Sequence, residues 1–172
     1  AMAYDSVRHR VVLFGGFPYG GSSSGMLSDT WEWDGRTWEN VTPAVSPPAR
    51  YLHSMTYDSA RARVVLFGGV RSTTTFSDTW EWDGSAWVNV TPADGPSPRS
   101  RHTLAFDGER GRVVLFGGIG PGPVFLADTW EWDGTSWGYL TPALGPSARF
   151  VHAMAYARGR RRAAHPASIP GA

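Results

Sequence analysis

Arg63-Val64-Val65-Leu66-Phe67-Gly68-Gly69 decides the fold, because the same seven residues stand at Arg10–Gly16 and again at Arg112–Gly118. A second string, Asp-Thr-Trp-Glu-Trp-Asp-Gly, follows each copy, starting at Asp29, Asp78 and Asp128. A further Trp comes next (Trp38, Trp87, Trp137), then Thr-Pro-Ala from Thr42, Thr91 and Thr141. An Arg and a His three apart complete the pattern: Arg50 and His53, Arg99 and His102, Arg149 and His152. The period is 49 to 53 residues, and all nine Trp obey it. Self-similarity at such a fixed spacing identifies a repeat architecture.

Each repeat reads as four strands. The first follows the His, as in His102–Asp107. The second is the apolar Val-Val-Leu-Phe run, whose unbroken hydrophobicity predicts burial on both faces. The third is Thr-Trp-Glu-Trp-Asp, which puts its two Trp on one face and its Glu on the other. The fourth opens on the next Trp. Asp-Gly stands between strands three and four in every copy, at Asp34, Asp83 and Asp133, as a hairpin signal. Helical periodicity is absent. Four-stranded antiparallel units repeating about every 50 residues predict an all-β chain of β-propeller blades. The expected blades are 1–44, 50–93 and 99–143, with strand one of a fourth at 149–156.

These copies resemble kelch repeats. The resemblance rests on the apolar strand ending in Gly15-Gly16, Gly68-Gly69 or Gly117-Gly118, the aromatic pair of strand three, and the Trp opening strand four. It covers residues 1–156 and implies a kelch-type, galactose oxidase-like propeller that works as a binding or scaffolding module. Strand three has Trp where kelch repeats often have Tyr, and the period is long. A WD-type propeller does not fit, since the Gly-His element of that family is missing.

The resemblance also admits propeller enzymes. The copper radical oxidases of this fold need a Cys cross-linked to a Tyr, and the chain has no Cys. The Asp box of sialidase-type propellers fails, because Asp34 and Gly35 are adjacent. A fragment of an isomerase-like enzyme acting on sugars stays open as the alternative. It would need a non-repeated acid or His lining the channel.

Composition narrows the classes further. Nine Trp, eight Phe and six Tyr in 172 residues argue for a packed chain. No apolar run approaches the ~18 residues that span a membrane, and no secretion signal is read at the first residues. All 16 basic residues are Arg, four of them at 158, 160, 161 and 162. The remaining 156 residues carry 12 Arg against 15 acids, a net −3, so nucleic acid is not the expected partner. The five His stand in no ligand spacing, so neither a metal nor a cofactor is expected.

Three full blades fall short of the ~4 to 8 that close a ring. The first residues, Ala1–Ser6, align with Ser54–Ser59, inside a repeat. After Tyr156 the pattern dissolves into a basic, Arg-, Ala- and Pro-rich tail, 157–172, whose composition predicts disorder. Two readings follow: missing partner blades of a longer propeller, or a half-propeller that pairs as a homodimer.

Strand direction places the loops from strand two to three on the same face as the linkers between blades. These loops, 17–28, 70–77 and 119–127, differ in sequence while the strands are near copies, which is where specificity sits on a fixed scaffold. The candidate contacts for a protein or carbohydrate ligand are Phe17, Tyr19, Phe76 and Phe125. Arg50, Arg99 and Arg149 recur once per repeat on the same face and form a candidate anion site. The competing expectation is that they pair with the equally periodic Asp29, Asp78 and Asp128. Arg101 replaces Leu52 and Val151 and breaks the repeat, which makes it the best single candidate for ligand contact.

Overall fold

A computed structural model describes residues 1–18, 25–122 and 124–157. Tyr19 and the tail from 158 onward lie outside the described residues. Among the described residues there is no helix, and three antiparallel four-stranded sheets follow one another along the chain. The first contains β1 (Met2–Asp5), β2 (Arg10–Gly16), β3 (Leu27–Trp33) and β4 (Trp38–Asn40), paired in chain order. The second contains β5 (Ser54–Asp58), β6 (Arg63–Phe67), β9 (Thr79–Trp82) and β10 (Trp87–Asn89). Between β6 and β9 lies a small ribbon of β7 (Val70–Arg71) and β8 (Thr74–Thr75). The third contains β11 (Thr103–Asp107), β12 (Arg112–Gly120), β13 (Val124–Trp132) and β14 (Trp137–Tyr139).

Local chemistry fixes each hairpin. The Asp ending strand one caps the turn into strand two: Asp58 Oδ1 accepts from the N–H groups of Ala60 and Arg61 at 3.0 and 3.1 Å. The Asp of each Asp-Gly pair does the same between strands three and four, as Asp83 accepts from Ser85 and Ala86 at 2.8 and 2.9 Å. Such Asx turns hold the chain reversal without help from the core.

The blades stack through their faces, and the core consists of the two blade–blade interfaces. Alternation along β6 serves both: Val64 and Leu66 join the cluster with blade one, Val65 and Phe67 the cluster with blade three. All four are fully buried, as the unbroken apolar run predicts. Each interface also carries polar latches. Trp82 Nε1 donates to Glu32 of the preceding blade and Trp87 Nε1 to Thr30 Oγ1, at 3.0 and 2.9 Å. Trp132 and Trp137 repeat both bonds one blade later, to Glu81 and Thr79. The strands β1, β5 and β11 lie side by side, with β5 in the middle, and so line the inner edge of the array.

Several expectations need correction. Of the expected loops, 119–120 and 124–127 are strand, because β12 and β13 run on with Ile119 opposite Phe125 and Gly120 opposite Val124. The segment 70–77 contains the β7–β8 ribbon, and 27–28 belong to β3. Residues 149–156 do not form a strand. Tyr156 sits against Gly108, but the segment lacks a second strand to bond with, and a lone strand has no ladder to define it.

Trp82→Ala removes both a filled interface and the Glu32 latch, whereas Trp33, its counterpart in blade one, is half-buried and has no acceptor among the described residues. Trp82→Ala should therefore cost ~3–5 kcal/mol in urea melts, and Trp33→Ala clearly less. Equal losses would contradict the stacking described above.

Candidate functional site

The face carrying the linkers is organised by the repeated Arg. Arg50 bonds backward through its main chain: its N–H donates to Leu27 O, and its carbonyl accepts from Gly16 N at 2.9 Å. Its side chain reaches forward, with Nη1 on Gly68 O at 2.9 Å and both Nη atoms on Asp78 at 2.6 and 2.7 Å. Arg99 repeats this one blade on, with Gly117 O and Asp128 as its forward partners. Both side chains are 0% exposed. Bidentate geometry, together with the added carbonyl bond, satisfies a guanidinium that burial would otherwise penalise. Burial works against the Asp128 charge, yet the Arg99 and Trp130 hydrogen bonds outweigh it and hold the carboxyl below its ordinary range.

The Gly-Gly pair exists to admit this linker. Gly68 has φ +64°, and a Cβ there would stand 2.6 Å from the Arg99 carbonyl oxygen. Only glycine supplies both that conformation and that clearance.

Arg50 and Arg99 are thus stitches between blades, and the expectation that they contact a ligand gives way to the pairing with Asp. Arg149 differs. Its main chain makes the same backward bonds, to Leu126 O and from Gly118 N. Its guanidinium meets no carboxylate among the described residues and is exposed.

His53 and His102 are sealed beneath the same linkers, each edge-on to a Phe of the preceding blade, Phe14 and Phe67. Burial, with the Arg99 charge nearby, drives the His102 pKa down to about 3. Neither imidazole reaches the surface, which removes both from proton transfer to a ligand.

The surface of this face is aromatic and not periodic. Phe17 packs on Tyr51, ring centroids 5.5 Å apart, and Phe125 stacks on Phe150 at 5.4 Å and 12°. Phe17, Phe125 and Phe150 remain exposed. Phe76 points the other way, under the Arg50 guanidinium at 4.1 Å, and is half-buried. Arg101 is exposed, with its guanidinium 5.7 Å from the Phe150 ring. Its backbone is left-handed at φ 58°, as are Leu52 and Val151 at 57° and 54°. These three residues form a chain across the blades: Arg101 N–H donates to Leu52 O and Val151 N–H to Arg101 O, at 2.9 and 3.1 Å. The bonds hold the strained backbone and fix where Arg101 projects.

Sequence reasoning thus singled out Arg101, Phe17 and Phe125 on this face, and missed Phe150 and Tyr51. Their signal was present: two positions before each His stand Tyr51, Ser100 and Phe150, two of them aromatic. Among the described residues, no group of three acidic or imidazole side chains is placed to hold a metal ion.

Stacked four-stranded blades, stitched by a buried Arg and topped by variable aromatic loops, define a β-propeller blade array of the protein-interaction class. A family model described as the KLHDC2/KLHL20/DRC7 Kelch-repeats domain matches residues 1–163, and the chain belongs to this kelch-repeat family. A search of curated proteins returned no match. The chain is a kelch-repeat interaction module.

Two measurements test the scaffold reading. Removing one partner of a buried ion pair costs ~3–5 kcal/mol, so Arg50→Met should lower stability by that order, while Arg149→Met should leave monomer stability within about 0.5 kcal/mol, as at an ordinary exposed site. Protonation supplies the second. The unfolded chain binds a proton at His102 near pH 6.5 and the folded chain only near pH 3. The stability contribution of His102 is therefore fully present well above pH 6.5 and is lost as the pH drops from there toward 3. At pH 5 the loss from this one residue is about 2 kcal/mol. His102→Gln should reduce the fall between pH 7 and 5 by that amount, leaving the contribution of the equally buried His53, which burial likewise holds well below its ordinary pKa.

Proposed function

We propose that this module grips a protein partner through the face formed by the strand two-to-three hairpins and the inter-blade linkers. Arg101 is the polar anchor, and the Phe125–Phe150 and Phe17–Tyr51 pairs are the apolar ones. The observation that carries the reading is the exposed Arg101 held rigidly beside a stacked, exposed aromatic pair. Aromatic and Arg side chains dominate binding hot spots, because they combine large contact area with a directed charge. The partner chemistry this favours is a carboxylate adjacent to an apolar side chain. The carboxylate would meet the guanidinium and the apolar group the ring faces. The scaffold supports this division of labour. The repeated Arg and Trp are spent on stacking blades, and Arg101 and the exposed aromatics that break the repeat lie on the linker face.

Peptides selected from a random display library against the chain provide the test. Arg101→Ala and Phe125→Ala should each weaken the selected binders by at least tenfold, a loss of about 1.4 kcal/mol or more, without changing the melting temperature. Val88→Glu, on exposed strand β10, should change nothing. Binders indifferent to Arg101 and Phe125 would reject this face. Failure to select any peptide, with binding to an arrayed glycan panel instead, would reject the protein partner.

A further inference from the structure

We infer that Arg71 is a second specificity-determining residue of the linker face, and that the partner carries two acidic side chains around an apolar one: Arg101 takes one carboxylate and Arg71 the other. The inference rests on the reading of this face proposed above. Arg71 breaks the repeat as Arg101 does. Counted from each Gly-Gly pair, its equivalents are Pro18 and Gly120, so blade stacking needs no cation at this position. Arg71 is exposed and forms no ion pair among the described residues. Its main chain is nevertheless fixed. Arg71 pairs with Thr74 across the β7–β8 ribbon, which turns at Ser72 with φ 53°. The preceding residue, Val70, exchanges both main-chain bonds with Tyr51, at 2.9 and 3.1 Å. Arg71 therefore stands one residue from the contact that holds the Phe17–Tyr51 pair.

The two Arg belong to one patch. Leu52 follows Tyr51, and its carbonyl accepts from the Arg101 N–H at 2.9 Å. The path from Arg71 to Arg101 thus runs through Val70, Tyr51 and Leu52, which puts their Cα atoms at most ~20 Å apart. A single extended segment of about six residues covers that span. Leu52 lies between the two Arg and is half-buried, so an apolar contact stands in the middle.

Charge complementarity selects the occupant. Of the 15 acidic residues in the chain, the segments 17–28, 70–77 and 119–127 and the linkers 43–53, 92–102 and 142–152 hold one, Asp94. The charges of Arg50 and Arg99 are cancelled by Asp78 and Asp128. Arg71 and Arg101 therefore act on a partner with little to oppose them. The opposite face differs, because the hairpins there interleave both signs: Asp5, Asp58 and Asp107 each bond the Arg three residues on. An acidic segment is drawn to the linker face by this asymmetry, and each guanidinium offers a carboxylate two parallel hydrogen bonds.

Display-selected peptides whose binding requires Arg101 and Phe125 supply the test. They should carry two acidic residues within about six positions of each other. Arg71→Ala should weaken them at least ~10-fold and leave the melting temperature unchanged, as at an ordinary exposed site. Arg36→Ala removes the same charge from an exposed hairpin of the opposite face and should leave the affinity unchanged at ~150 mM salt, where distant charges are screened. Arg71→Glu should abolish binding. Replacing one particular acid of the peptide by Lys should restore it, and replacing the other should not. Peptides that need Arg101 and Phe125 yet ignore Arg71→Ala, or that Arg36→Ala weakens equally, would overturn the second anchor and leave the first in place. Peptides indifferent to Arg71, Arg101 and Phe125 alike would overturn the face itself, and this inference with it.

Discussion

The structure depends on a guanidinium that belongs to two blades at once. Arg50 is tied by its main chain to the blade behind it and by its side chain to the blade ahead. Blade stacking by apolar contact alone would leave adjacent sheets free to slide, since dispersion and burial are not directional. The Arg-to-Asp bond removes that freedom, because a bidentate pair has one geometry. It also explains three other features of the repeat. Gly-Gly must end strand two so that the linker can approach, Asp must open strand three, and the His must lie beneath the linker against the Phe of the preceding blade. None of these is needed by a single four-stranded sheet. All are needed by a stack.

The strands were legible in the sequence because each is a local event. An apolar run of four residues, an Asp-Gly turn and an alternating Trp-Glu-Trp each announce themselves within a few positions. The pairing of Arg with Asp was legible as one of two alternatives, since equal periodicity suggested a partnership but could not show that the side chains meet. The Trp-to-Glu and Trp-to-Thr latches were not legible. They join residues about 50 positions apart in different sheets, and Thr30 or Glu32 reads as an ordinary strand residue until the neighbouring blade is in place. The extended β12–β13 hairpin was hidden for a different reason. Residues 119–127 contain Gly and Pro that read as loop, and only the pairing of Ile119 with Phe125 turns them into a ribbon.

The candidate site was legible where it departed from the repeat. Arg101 stood out because Leu52 and Val151 hold the equivalent positions, and Phe125 because its loop differs in sequence from the equivalent loops of the other copies. Phe150 was hidden by its position in the linker, a segment otherwise committed to stitching. The linker carries both kinds of residue. Its Arg and His face inward to the blades, while the residues at φ near +55° between them turn outward. A backbone bent in this way alternates scaffold and surface within three residues, so the surface residues can change without disturbing the stack.

That separation sets where variation is tolerated and where it is not. In a linear array each blade is stabilised by its own sheet and by its neighbours, so the interfaces carry the cooperativity. A substitution at Phe67, which packs on Trp137 in the next blade, is felt by both sheets. A substitution at Phe125, which stacks on Phe150 and lies outside both core clusters, is felt by neither interface. The middle blade is the limiting case, because all four apolar residues of β6 are fully buried. In blades one and three, by contrast, the outward-facing residues Val11, Leu13 and Val114 are only half-buried. The same residues in the same strand thus have different stabilities according to what stands beside them. An edge therefore differs from an interior interface in its missing neighbour and not in its composition, and the first and last edges of this array retain the chemistry of the interfaces between.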